Sequence, residues 1–205
     1  QQIQTNAVGG GAVLVVGSAT CVSNDLSEAF KLRPNADVIA VKFSVAIVKA
    51  KHAVTHHPEH AVRMKKLHRE KWGGEIVVHT PYKSSIKPDD LNSIDCVWSC
   101  LAGIRGTSGW GAARIASLLG YDEVILCGCP IDIVADDEPF FDATIKRDAS
   151  SVGASNQRGI PWKSKTNLDE WHSAIQKDIS AGLATNIRSM SGWTRQVLGA
   201  PNGSR

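Results

Sequence analysis

The chain lacks several features that would have fixed its class at once. No apolar run approaches the length of a membrane span, and no secretory hydrophobic region is visible near the amino end. No Gly-Lys-Ser/Thr follows a glycine loop, which excludes a P-loop, and no dinucleotide fingerprint is present. The five cysteines form no CxxC pair and are odd in number, so disulfides and a cysteine zinc site are both disfavoured. Buried thiols in a reducing, cytoplasmic setting are expected instead. A net charge of +3 is too mild to imply nucleic acid, and the basic residues are scattered. No Ser-His-Asp or Cys-His arrangement can be assembled. Gln1, not methionine, opens the chain, as at a processed or engineered terminus.

What is present is ordinary globular composition, with 42% hydrophobic and 21% charged residues in 205. That length suits one domain with a sizeable core. Short continuous apolar runs, such as "AVLVVG" (Ala12 to Gly17), read as strands buried on both faces. Further strands are expected at 37–43, 52–57, 75–79, 95–99 and 124–129. Helices are expected from Asp25, over 45–50, from Pro58 to Trp72, from Ser108 to Leu119, from Leu168 to Leu183, and near 194–198. The alternation predicts an α/β fold: an open, mostly parallel Rossmann-like sheet with helices on both faces. One domain over 1–205 is expected, with a flexible tail at 1–11, a long loop or lid at 130–166 and closing helices over 167–199.

Two glycine-bearing turns fall where such a sheet binds ligands. "GTSGWG", Gly106 to Gly111, opens a helix, and Gly17-Ser18-Ala19-Thr20 follows the first strand. Helix amino termini offer unpaired N–H groups and a positive dipole end, and glycine lets backbone approach a ligand. The same glycines would also permit close packing of helix on sheet. Lys42, after the second strand, suits a phosphate as a point charge.

"THHPEH" places His56, His57, Glu59 and His60 together. These are metal-ligand types, but the spacing matches no zinc pattern, so no metal site is expected. His56 or His57, at the end of a strand, would line the cleft, where a neutral imidazole can take a proton. Asp136, Asp137 and Glu138 are the place for a divalent cation if one bridges to phosphate. Lys146, Arg147, Arg158, Lys163 and Lys165 could close over a diphosphate. "RMKKLHREK", Arg63 to Lys71, reads as a solvated basic helix face.

The block "GTSGWGAARIASLLGYDEVILCGCPID", ending at Asp132, resembles a segment of bacterial sialyltransferases that use CMP-sialic acid. It is also similar to archaeal-type pterin pyrophosphokinases and to small bacteriophage proteins that end in "RSMSGWTRQVLG"-like tails. The resemblance implies a nucleotide-sugar ligand and a glycosyltransferase activity. It implies that Gly17 and Ser18 lie under the phosphates, that Gly106, Thr107, Ser108 and Gly109 contact the nucleotide, and that Asp132 stands at the rim. It implies a histidine base after that corner, where His172 is the one histidine downstream; His57 is the other catalytic candidate. The chain departs from the sialyltransferases by lacking the Asn-Gly-Pro triplet of the first loop and by carrying Lys42 where they have asparagine. Those departures leave a second expectation open: a non-catalytic virion or assembly protein, acting as a homo-oligomer or within a particle, that reuses the fold.

Overall fold

The computed structural model describes residues 10–81, 88–132 and 165–202. The fold is α/β, a seven-stranded, fully parallel open sheet. The elements are β1 (Ala12–Val16), α1 (Val22–Leu32), β2 (Asp37–Val41), β3 (His52–Val54), α2 (Ala61–Trp72), β4 (Val77–Pro81), α3 (Pro88–Leu91), β5 (Cys96–Trp98), α4 (Ser108–Leu118), β6 (Glu123–Cys127), α5 (Lys165–Ser180), β7 (Ile187–Ser189) and α6 (Gly192–Leu198). Turns of 3₁₀ helix cover Lys42–Ala46, Pro58–His60 and Ser99–Leu101.

The strand order is β5-β4-β3-β2-β1-β6-β7. The chain steps outward from β1 to β5, then returns through α4 to place β6 on the other side of β1. The order therefore reverses between β1 and β6, the topological switch of an open sheet. Strand alternation builds two cores. Val13, Val15, Ile39, Val124 and Leu126 face α4 and α5, and Leu14, Val16, Ala40 and Ile125 face α1 and α2. Because the central strands are covered on both faces, their sequences are apolar throughout. Trp110, Leu14, Ile39 and Ile125 are each fully buried, worth about 1.5–3 kcal/mol apiece in apolar transfer.

Polar bonds fix the layers. Asp178 of α5 takes the Trp110 indole N–H at 2.8 Å and pairs with Arg114 at 2.8 Å, locking α5 to α4. At the far edge the Trp98 indole donates to His79 Nδ1 at 3.0 Å. His79 Nε2 must then carry the proton and donate to His52 Nδ1, 2.9 Å away.

Three details differ from expectation. β7, a three-residue strand with Arg188 at its centre, carries no strand signature, and its place in the sheet comes from pairing with β6. The helix expected at 45–50 is the 3₁₀ turn Lys42–Ala46, closed by Ser44, whose hydroxyl accepts from the Val41 amide and donates to the Val16 carbonyl. The loop-like stretch at 80–94 contains α3. Residues 133–164, most of the expected lid, and 1–9 of the expected tail lie outside the described residues. Gly11 is tied to Asp122, whose carboxylate accepts its amide at 2.8 Å. No described helix is long and apolar enough to cross a membrane.

Candidate functional site

All strands are parallel, so their carboxyl ends gather along one edge. Ligands bind there in such sheets, at the switch. The loop after β1 is stitched to the end of β6: the Gly17 amide donates to the Cys127 carbonyl at 2.8 Å and the Ala19 amide to the Gly128 carbonyl at 3.2 Å. The first turn of α4 crosses the same edge. Its Ser108 hydroxyl accepts from the His56 amide at the end of β3, at 3.3 Å. The next residue, Gly109, abuts Cys129 beyond β6.

The glycines of both turns have a packing cause. A Cβ on Gly17 would collide with the Gly128 carbonyl and lie 2.5 Å from Cys129 Sγ. A Cβ on Gly109 would lie 2.9 Å from the same sulfur, and one on Gly111 would collide with Nε2 of His56. Cys129 and His56 are the knobs that the bare backbone receives. The sequence places His56 at the cleft but does not show the packing of either residue, because neither type in a short run signals that it fills a glycine hole.

Thr107 caps α4: its Oγ1 accepts the Trp110 amide at 3.2 Å, and its carbonyl takes the Gly111 amide at 3.0 Å. Among the described residues, the amides of Ser108 and Gly109 meet no acceptor. They are the donors that the positive end of α4 presents at the edge. Ser18 sits opposite, in the β1 loop, partly buried.

Lys42 ends β2 with φ of +52° and Ile131 follows β6 with φ of +51°. Left-handed backbone is costly for both, most of all for β-branched Ile131, and both strained residues lie on this edge. Lys42 stands close enough to His57 for its charge to act on that ring. Burial first, and Lys42 second, hold His57 down to about 4, against the pull of Glu59. His57 Nδ1 lies 3.1 Å from Glu59 Oε1.

The far side of the edge is knit together. Asp25 of α1 is buried and accepts from the Gly128 amide at 2.8 Å and the Ser191 hydroxyl at 2.7 Å. Asp132 accepts the Trp193 amide at 2.6 Å, so its carboxylate is turned to the start of α6. His172 Nε2 lies 2.8 Å from the Ile131 carbonyl, and its ring stacks on Trp193 at 3.7 Å and 13°. A carbonyl only accepts, so Nε2 carries a proton, and in the neutral ring Nδ1 then holds the lone pair. The Asp25, Ser191 and Trp193 contributions were also missed, since they are assembled from segments more than a hundred residues apart or from the chain's last helix.

The two histidine candidates are therefore not brought together. His57 follows β3 and His172 packs at β6, three strand spacings away, about 14 Å. Burial pushes the neighbouring Cys129 thiol up to about 12 and the Cys21 thiol up to about 11, away from the reactive thiolate form. The acidic cluster at 136–138 and the basic residues Lys146, Arg147, Arg158 and Lys163 lie outside the described residues.

Two shallow depressions, of about 280 and 400 Å³, lie away from this edge. The first is lined by Asp122, Glu123 and Asn186 at the amino ends of β6 and β7; the second lies on the basic face of α2, by Lys65 and Arg69. Both are open and lined chiefly by polar surface side chains, and neither lies at the carboxyl ends of the strands, so the switch is the better candidate.

No family model matches the chain. No curated protein matches it. Among solved structures, the MAf glycosyltransferase from Magnetospirillum magneticum AMB-1 is similar over 63% of this chain and 24% of that one, at 16% identity and a TM-score of 0.39. The chain thus spans about a quarter of that protein's length. A likeness this loose carries no argument about function.

Proposed function

We propose that the protein binds a nucleotide or nucleotide-sugar across the β1/β6 switch and transfers the sugar group to an acceptor hydroxyl. The observation that carries this reading is that the α4 amino terminus and the β1 loop both close on Cys129 at the switch of a fully parallel sheet. In this reading the amides of Ser108 and Gly109 and the Gly17-Ser18 turn hold phosphate, with Gly106 and Thr107 shaping the turn. Lys42 adds a point charge from the β2 side. Asp132 acts at one remove, by fixing α6 beside the ligand.

His172 is the base. Its tautomer and ring plane are set by Ile131 and Trp193, which leaves Nδ1 as acceptor. The acceptor oxygen forms the new bond to the anomeric carbon as the bond from that carbon to phosphate breaks. The electron pair leaves with the nucleotide phosphate, and Nδ1 takes the hydroxyl proton.

Thermal unfolding against CMP, CDP, UDP, GDP and ADP tests this. A ligand at about a hundred times its dissociation constant adds roughly 2.7 kcal/mol, a rise of about 5–10 °C for a domain of this size. A selective rise with a cytidine nucleotide supports a sialyltransferase-like donor, and a rise with another nucleotide changes the donor only. One observation favours a second reading. Cys129 accounts for Gly17 and Gly109 without any ligand, which is all that a non-catalytic assembly protein on this fold requires. The absence of a rise with every nucleotide would support that reading.

A further inference from the structure

We propose that His57, Glu59 and His60 form a binding site for a zinc-class divalent cation, with a fourth coordination position open at the carboxyl edge of the sheet. One donor atom from each residue lies within 4.8 Å of the others. The cause is the 3₁₀ turn Pro58–His60, which the His60 amide closes on the His57 carbonyl at 3.0 Å. At three residues per turn, side chains at i and i+3 eclipse. The rings of His57 and His60 accordingly come together on one side of the turn, centroids 5.6 Å apart and tilted by 32°. Glu59 Oε1 lies 3.1 Å from His57 Nδ1. Ligand atoms on a tetrahedral zinc ion with bonds near 2.0–2.1 Å are about 3.3 Å apart, so this pair already has the required spacing. Familiar zinc spacings assume an α-helix or a hairpin, and for that reason "HPEH" does not look like a ligand set in the sequence.

The turn is held in place. Pro58 is buried at its first position. Thr55 Oγ1 accepts the His57 amide at 2.9 Å and donates to the His57 carbonyl at 3.1 Å. Phe43 backs the His60 ring at 5.1 Å. Rigid support of this kind is what a three-ligand site needs. Two imidazoles and one carboxylate are the donor set of open zinc centres and suit zinc, cobalt or nickel; magnesium and calcium demand oxygen. Lys42 stands beside His57 and opposes a second cation, and an anion on the open position would offset both charges. The site goes beyond the nucleotide reading and does not rest on it, so the two tests fail separately.

The test is calorimetric titration of the full chain, stripped with EDTA, using zinc chloride and then magnesium chloride. The expected result is one zinc ion per chain and weaker binding of magnesium. Glu59→Gln and His60→Ala should each weaken zinc binding by roughly tenfold or more. Glu59 is exposed, so the stripped Glu59→Gln variant should unfold at the wild-type temperature, which separates lost binding from lost fold. Cys100→Ser, which removes an exposed thiol, should bind as wild type. The proposal is overturned if the wild type binds no zinc, if magnesium binds more tightly, if Glu59→Gln and His60→Ala bind as wild type, or if Cys100→Ser abolishes binding.

Discussion

The two halves of the sheet's carboxyl edge use their polar groups differently. On the β1/β6 half, Asp25, Ser191, Asp132 and Trp193 are bonded to one another and to backbone, and glycines close around Cys129. On the β2/β3 half, Lys42, His57, Glu59 and His60 cluster around a short turn, with the Glu59 side chain half exposed. The first half is held by fixed bonds, and the second carries adaptable charged side chains. The helix end of α4 spans both, from His56 to Cys129. Fixed backbone donors on one side and adaptable charges on the other are what recognition of a phosphate-bearing ligand needs.

Asp25→Ala should break the knit half most severely. It leaves the buried Gly128 amide and the Ser191 hydroxyl without their acceptor, at a cost of about 3 kcal/mol. Urea unfolding measures it, and a loss below about 1 kcal/mol would place those bonds in solvent. Next comes Gly109→Ala, whose Cβ meets Cys129 Sγ at 2.9 Å. It should cost about 1–2 kcal/mol, and much less in a Cys129→Ala background, because the sulfur is the obstacle. A double-mutant cycle reads the coupling; additive effects would mean that Gly109 is needed for some other reason.

Acid should act at the far edge. Burial first, and His52 second, lower His79 to about 4 from an ordinary 6.5. Both its nitrogens are committed, with Nδ1 accepting from Trp98, so a second proton has no place. Between those two values the unfolded chain binds a proton that the folded chain refuses, so stability falls as pH drops from about 6.5 to 4. Denaturation midpoints across that range check the sign, and His79→Gln should flatten the slope. The smallest effect is expected on the β2/β3 half: Glu59→Gln should change metal-free stability by less than about 0.5 kcal/mol.

The sheet was legible in the sequence because its central strands, buried on both faces, are apolar runs; β5, three residues long and partly exposed, was read from a weaker signal. β7 was not legible, since three residues around Arg188 carry no pattern and their place is set by β6. The glycine turns were also legible, but not their occupants. A sequence shows that Gly17 and Gly109 need room and does not show that Cys129 fills it. The His57–Glu59–His60 cluster hid for a different reason, since its alignment depends on a 3₁₀ turn set by Pro58 rather than on α-helical spacing. Lys42 was noticed for its charge alone; its left-handed backbone is visible only in three dimensions.

The central claim is that the switch holds a nucleotide, and the most direct measurement follows the backbone amides by NMR while CMP, CDP, UDP, GDP and ADP are titrated in turn. The account predicts saturable shifts at Gly17, Ser18, Thr107, Ser108 and Gly109 with at least one nucleotide. Shifts confined to the depression by Asp122 and Asn186, or none with any nucleotide, would contradict it.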